Sequence, residues 1–317
     1  MYRDKSIGVV IPAYNEEKLI VRVIETLPDY VDQIIVIDDG STDDTVKIVK
    51  SCQKHAPNDK IILIMHDVNQ GVGGAISDGY KWCRDHKIDI VVVMAGDAQM
   101  DPKDLPSLLD PIVEDKTDYA KGNRLFYGNA WNIIPKVRYL GNAALSLLTK
   151  IASGYWHVAD SQCGYTATSL KVLETIDLDT IYRRYGMPND LLVKLNIYNF
   201  RVKDIPVTPI YNIGEISGIK IERIIFTLFF LLVKLFIWRM KEKYVIRDFH
   251  PLIFFYFLAF LLLFISIPLT VKLFAFWIQY GHIPRINSLA LMFSLIMGFQ
   301  SLFFAMLFDM ENNKELK

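Results

Sequence analysis

Residues 91–102, VVVMAGDAQMDP, open as a run of Val and Met suited to a buried strand and close on Asp97, Gln99 and Asp101. Two carboxylates and an amide at the mouth of such a strand need a use, because polar groups are buried only where something pairs with them. On an extended segment residues i and i+2 face one way, so Asp97 and Gln99 are expected to present a carboxylate and an amide oxygen to the same side. Hard oxygen donors, few in number, suit Mg²⁺ or Mn²⁺ shared with substrate phosphates. Asp101 precedes Pro102, a residue favoured at the first helical position, and reads as a helix N-cap.

The same pattern repeats along the first two hundred residues. SIGVVIP is followed by a helix from about Glu16, QIIVID by one from about Thr42, KIILIMH by one from about Val72, and IDIVVVMA by one from Pro102. Strands apolar on both faces and separated by helices indicate a mostly parallel sheet covered on both sides. Ligands of such sheets lie at the carboxyl ends of the strands, where the remaining polar clusters also fall. In IPAYNEE, Asn15 is a candidate cap and Glu16 a complement to the helix dipole. In IDDGSTDDT, Ser41 with Asp44 reads as a helix-start signal and Gly40 as the turn, which leaves Asp38 and Asp39 unexplained. NQGVGGA at 69–75 is a glycine-rich turn whose Gly71 would let a backbone approach a phosphate, although its spacing is neither that of a dinucleotide fold nor that of a P-loop. No arrangement of Ser, His and Cys makes a nucleophile triad.

Composition narrows the class. With 35 Lys+Arg against 35 Asp+Glu, and no basic stripe interleaved with aromatics, nothing recruits nucleic acid. Three scattered cysteines fit neither a disulfide framework nor a zinc site and suit a reducing compartment. The N-terminal run ends at a proline and lacks the features of a signal peptide, so residue 1 is expected in the cytosol. Residues 252–271 are 20 without a charge, and 288–308 a further 21, each able to cross about 30 Å of hydrocarbon. They read as a transmembrane hairpin. Residues 224–238 are apolar, only 15 long, and flanked by Arg223, Arg239, Lys241, Lys243 and Arg247, which suits a helix lying in the membrane surface. That basic cluster outweighs Lys272 and Arg285 in the loop between the spans and puts the N-terminal domain on the cytoplasmic side of a multi-pass chain. The expected organisation is a catalytic domain over 1–215, interfacial and juxtamembrane helices over 216–250, and a hairpin with a cytoplasmic tail over 251–317.

At these residues the chain resembles the family 2 glycosyltransferases of GT-A fold, and within them the polyprenyl-phosphate sugar synthases, which include dolichyl-phosphate mannose and glucose synthases. The matching pieces are VIPAYNEE, VIDDGSTDDT, the N-x-G-x-G-G-A at 69–75, GDAQMDP at 96–102, GNR at 122–124 and DSQCGY at 160–165, the last closest to the glucose synthase branch. The resemblance implies a Rossmann-like GT-A domain in which Pro12, Tyr14, Glu16 and Asp39 line the nucleotide pocket with Asp38 adjacent. It implies that Asp97 and Gln99 hold the metal against the donor diphosphate, that Arg124 and Arg138 bind the lipid phosphate, and that Asp160 and Gln162 border the sugar. Asp190 stands where the family often has an acidic residue. Where the family commonly reads D-x-D-x-Q, this chain has Ala95 in place of the first Asp.

The expected activity is therefore inverting transfer of a hexose (glucose, N-acetylglucosamine or mannose) from a nucleotide sugar, a UDP-sugar favoured over GDP-mannose, to a polyprenyl or dolichyl phosphate at the bilayer. Two alternatives stand beside it. A processive polysaccharide synthase lacks support from any Q-x-x-R-W segment, and Ala95 invites a non-catalytic nucleotide-sugar-binding membrane protein. The oligomeric state is open, a homo-oligomer included.

Overall fold

The structure is a computed structural model; it describes residues 1–57, 59–126, 136–210 and 221–317, without the side chains of residues 137, 138 and 221–225. By their contacts the described residues form two compact units, residues 1–236 with 316–317, and residues 237–315. The boundary expected near residue 215 lies outside the described residues.

In the first unit the β-branched runs become β1 (Ile7–Ala13), β2 (Gln33–Asp38), β3 (Ile61–Met65) and β4 (Ile90–Val93). Branched side chains are stiff in a helix and pack well on a pleated surface. With β5 (Tyr119–Asn123), β6 (Thr166–Ser169) and β7 (Val202–Pro206) they make a sheet of order β3-β2-β1-β4-β6-β5-β7. The pairs β1–β2, β1–β4, β2–β3 and β5–β7 are parallel, while β6 runs antiparallel to β4 and β5. Alternate residues feed two apolar layers. Val9, Ile11, Val36 and Val92 pack with α1 (Ile20–Glu25), α2 (Thr45–His55) and α4 (Leu105–Val113). Val10, Ile35, Val91 and Val93 pack with α3 (Val72–Asp85), α6 (Leu170–Thr175) and α7 (Met187–Ile197) on the other face. A further helix, α5 (Lys136–Ser153), precedes β6.

Two helices begin later than the sequence suggests, α1 at Ile20 and α2 at Thr45. Asn15 adopts a left-handed φ of +58°, and its Oδ1 accepts from the Thr42 amide at 2.8 Å. Ser41 Oγ accepts from the Asn15 amide at 2.9 Å, and Thr45 Oγ1 from the Glu16 amide at 2.8 Å. Asn15 and Ser41 thus tie two loops together and cap no helix. Asp101 does cap: its side chain accepts from the Lys103 amide at 3.0 Å, with Pro102 opening a short 3₁₀ turn into α4.

The glycine-rich turn serves a close backbone contact. Gly71 holds φ +91° at the start of α3, and the amides of Gly73 and Gly74 both donate to the Arg183 carbonyl, at 2.8 and 3.2 Å. A Cβ on Gly73 would overlap the Tyr182 carbonyl oxygen and lie 2.9 Å from the Arg183 carbonyl carbon.

The second unit begins in α8 (Ile221–Lys241), at 21 residues longer than its apolar core suggested, and continues through a π-helical turn over Glu242–Arg247. Then come the membrane-spanning helices α9 (Leu252–Tyr280, 29 residues) and α10 (Arg285–Asn312, 28 residues), joined at Gly281 with φ +69°. They pack through small side chains: Ser294, Gly298, Ser301 and Ala305 are buried, and a Cβ on Gly298 would touch Leu263 at 3.1 Å. Close approach of this kind drives helix association in lipid, where burial against water supplies no force. Two of the basic residues expected to flank a surface helix are instead buried. Arg239 makes a two-pronged ion pair with Asp309, both bonds 2.9 Å, and Lys243 donates to Asn313 at 2.7 Å. Tyr244 Oη adds a bond to Asp309 at 2.5 Å. Burial and the neighbouring Arg239 charge depress Lys243 to about 7.

The glycine contact can be tested directly. Gly73→Ala should cost about 2–3 kcal/mol through overpacking and lower the unfolding midpoint by roughly 5–10 °C. Gly141→Ala on α5, where an added Cβ meets nothing within 4 Å, should gain about 0.5–1 kcal/mol. Thermal unfolding of the two variants side by side gives the comparison; equal midpoints would refute the contact.

Candidate active site

The strand register brings the polar clusters to one edge. Ala13 pairs with Asp38, so β1 and β2 end together, while β4 stops at Val93 beside Val10 and its chain runs on along β1 to the same edge. Beyond the strands the Asp39 amide donates to the Ala13 carbonyl at 2.8 Å and the Gly96 amide to the Pro12 carbonyl at 3.2 Å. Because β6 is antiparallel, residues 160–165 arrive at this same edge, and Tyr165 Oη donates to the Asp101 carbonyl at 2.9 Å. Arg124 follows directly on β5.

Asp97 and Gln99 are not on an extended segment. Strand β4 stops at Val93, Ala98 takes a left-handed φ of +56°, and Asp97 Oδ1 accepts from the Gln99 amide at 3.1 Å, closing a tight turn. The alternation argument therefore fails here, although both side chains remain at the strand mouth. Glu16 lies over Gly96, where an added Cβ would meet its Cγ at 3.3 Å. Burial, then the Asp97 and Asp43 carboxylates, raise Glu16 to about 7. Among the described residues no group of three His, Cys, Asp or Glu could hold a metal by itself. One carboxylate and one amide nevertheless fit Mg²⁺ or Mn²⁺, which commonly take most ligands from phosphate and water. Gln99 Nε2 is buried with no partner among the described residues. As it stands this amide end suits a diphosphate oxygen, and turned over it offers its own oxygen to a cation. Ala95, in place of the family's first Asp, donates its amide to Met100 Sδ at 3.3 Å.

The Asp38–Asp39 pair splits in role. Asp39 accepts from the amides of Gln70 and Gly71, both at 2.8 Å, and from the His66 ring at 2.8 Å, and is 3% exposed. Its carboxylate thus occupies the anion position at the start of α3, where exposed amides and the helix dipole favour negative charge. Gly71 correspondingly faces Asp39 and the Arg183 carbonyl, and the amides of Gln70, Gly71, Gly73 and Gly74 donate to those two groups. Asp38 accepts from the Ser41 amide at 3.2 Å through Oδ2, while its buried Oδ1 has no partner among the described residues. Pro12 is buried and Tyr14 is 49% exposed at the rim.

On the far side Arg124 grips Asp160, Nε to Oδ2 at 2.8 Å and Nη2 to Oδ1 at 2.9 Å, and its amide also donates to Oδ2 at 3.0 Å. Burial alone would raise the fully buried Asp160, but the Arg124 guanidinium and Lys121 hold it below the usual range. Buried Lys121 donates to the Asp160 carbonyl. Gln162 donates to Ser161 Oγ at 3.0 Å and Asn189 Oδ1 at 2.8 Å, and Asn189 donates to Thr149 at 2.8 Å, a network joining α5, α7 and the 160–162 loop. Asp190 lies in the first turn of α7, pairs with Lys194 at 2.5 Å, and accepts from the Tyr182 amide at 2.9 Å, contacts that tie the 182–190 segment to the helix. The Arg138 side chain lies outside the described residues. Reading the sequence missed Asn189, a polar residue in an apolar helix, and Arg183, whose Nη1 donates to Gln70 at 3.2 Å beside the glycine turn. The doublet Arg183-Arg184 was the available signal for the latter.

Known proteins resemble this chain in sequence and in fold. A UDP-N-acetylglucosamine–dolichyl-phosphate N-acetylglucosaminyltransferase of Methanococcus voltae is 33% identical over 220 residues, covering 66% of this chain and 87% of the relative. An undecaprenyl-phosphate mannosyltransferase of Micrococcus luteus is 29% identical over 203 residues, 63% of this chain and 81% of the relative. In fold, glucosyl-3-phosphoglycerate synthase from Mycobacterium tuberculosis, solved with Mn²⁺, UDP and glucosyl-3-phosphoglycerate, superposes with a TM-score of 0.55 at 20% identity, covering 74% of this chain and 80% of that one. Residues 8–177, which carry the carboxyl-edge clusters of β1, β2 and β4 and the Arg124–Asp160 pair, match glycosyl transferase family 2, and the chain belongs to that family.

Proposed function

We propose that this glycosyltransferase moves a hexose from a nucleotide diphosphate sugar, a UDP-sugar in preference to GDP-mannose, to a polyprenyl or dolichyl phosphate at the cytoplasmic face of a membrane, with inversion at the sugar. The observation that carries the reading is the pairing, in one chain, of a carboxyl-edge site fit for a metal diphosphate with a membrane-spanning hairpin. The dolichyl- and undecaprenyl-phosphate acceptors in the names of two relatives support the lipid class, and the Mn²⁺ and UDP in the structural neighbour support the donor class.

A lipid phosphate is an anion near neutral pH, so it can attack the anomeric carbon without a strong general base, and the carbon–oxygen bond to the diphosphate breaks as the new one forms. The site must then position two anionic partners and compensate their charge. A divalent ion, when bound, neutralises the diphosphate leaving group. Asp97 and Gln99 would hold it. The Oδ1 of Asp38, without a partner among the described residues, suits an N–H of the base, and Pro12 and Tyr14 would line the same pocket. Arg124 would meet the acceptor phosphate in a plane that Asp160 fixes, and Gln162, itself held by Asn189, would border the sugar.

Three outcomes test this reading. Labelled UDP-sugar, polyprenyl phosphate and Mn²⁺ should give a lipid-extractable monosaccharide, whereas a polymer would indicate a processive synthase and no product a non-catalytic binder; Asp97→Ala should abolish the product while leaving the fold intact. Arg124→Lys and Asp160→Asn should each lower transfer at least about 10-fold, and the double variant should be no worse than the poorer single, because the two act as one pair. Donor affinity measured by calorimetry should barely move, and an equal loss there would put the pair on the donor side. The third outcome concerns Glu16. Raised from 4.5 to about 7 in the fold, it keeps a proton that the unfolded chain loses, so its effect on stability becomes unfavourable as pH rises through that window. Without metal or nucleotide, the melting temperature of Glu16→Gln relative to wild type should be unchanged near pH 4 and rise towards pH 8; a pH-independent difference would remove Glu16 from the crowded carboxylate pair.

A further inference from the structure

Helix α10 carries two seams at heptad spacing. One is the small-residue seam buried against α9. The other is exposed and uses large residues: Ile286, Phe293, Gln300 and Leu307 fall seven apart, and Leu289, Ile296, Phe303 and Met310 fall between them at the complementary heptad positions. A single polar residue interrupts it. Gln300 stands 15 residues from Arg285 and 12 from Asn312, about 22 Å and 18 Å along the helix, and so near the middle of the hydrocarbon. Between Ser288 and Asp309 it is the polar side chain left exposed, since Ser294 and Ser301 are buried towards α9. No hydrogen bond reaches its side chain from the described residues of its unit. A shallow groove runs along this face, lined by Ile296, Phe299, Gln300, Phe303, Phe304 and Leu307.

An apolar face alone would need no partner but lipid. The amide changes this, because acyl chains and isoprenoid tails offer neither donor nor acceptor and hydrocarbon holds no water to substitute. A second copy of the chain is inserted with the same orientation, so its α10 runs parallel, and in a parallel heptad pair each central residue meets its own counterpart. An amide is complementary to itself: each Gln offers one carbonyl and one N–H₂. We propose that the exposed seam of α10 is a homodimer interface, in which α10 of a second copy packs in parallel and the two Gln300 side chains hydrogen-bond across the two-fold axis.

The test uses the full chain in lipid vesicles, with dimerisation followed by single-molecule photobleaching across a range of protein-to-lipid ratios. Wild type should dimerise, Gln300→Leu should weaken the dimer about 3- to 30-fold, the worth of a polar contact between membrane helices, and Gln300→Asn should retain most of it. Gln300→Leu makes the helix more apolar and preserves insertion, so a loss reports the contact. Under mild oxidation Phe303→Cys should give a disulfide-linked dimer, while Phe264→Cys on α9 and the parent chain should not. A monomeric wild type, an undiminished dimer in Gln300→Leu, or cross-linking at Phe264→Cys in place of Phe303→Cys would each overturn the proposal.

Discussion

A parallel strand buried on both faces can show polar chemistry only where it ends. In the first unit β1, β2 and β4 contribute side chains to two apolar layers along their whole length, and the parallel register carries the chain that follows each of them to the same sheet edge. Everything proposed for the site follows from that geometry: the loops meet at one sheet edge, and the charges they carry are close enough to perturb one another, as Glu16 and Asp97 do. The edge is also braced from within. Asp39 fills the anion position at the start of α3, and the amides of Gly73 and Gly74 engage the Arg183 carbonyl, so the glycine turn is tied down by the protein's own groups.

Much of this was legible in the sequence. Strand and helix alternation, the two spans and the Asp101 cap each rest on local chemistry, with period, length or a neighbouring proline deciding them. What could not be read depends on partners far along the chain. Nothing near Asn15 says that it meets Ser41 and Thr42, and nothing near Gly73 says that the Arg183 carbonyl will occupy the space a side chain would need. Likewise Ala98 gives no warning of a left-handed turn, which is why an argument from strand alternation failed for Asp97 and Gln99.

The charged residues show the same division. Motif matching gave Asp39, Asp160 and Asp190 roles towards ligands, whereas each has a protein partner in the fold: amides and His66, Arg124, and Lys194. These are compatible functions at different removes, since a guanidinium or an amide can meet a phosphate at a fixed position only if something holds it there. Lys121 and Asp160 are both buried under this edge, so part of its electrostatic character is set by groups that solvent does not reach.

The Arg239–Asp309 pair has a consequence for how the chain is made. Its two halves are separated by 70 residues, so Arg239 leaves the ribosome long before the carboxylate that will neutralise it. During that interval a guanidinium, too costly to bury alone, keeps the end of α8 in water or among headgroups. Only when α10 has been threaded and seated beside α9 does Asp309 arrive, with Tyr244 and Asn313 closing around it. The ion pair therefore forms only once both helices of the hairpin are in place, and a chain stalled with one helix in the bilayer would leave the Arg239 charge without its carboxylate.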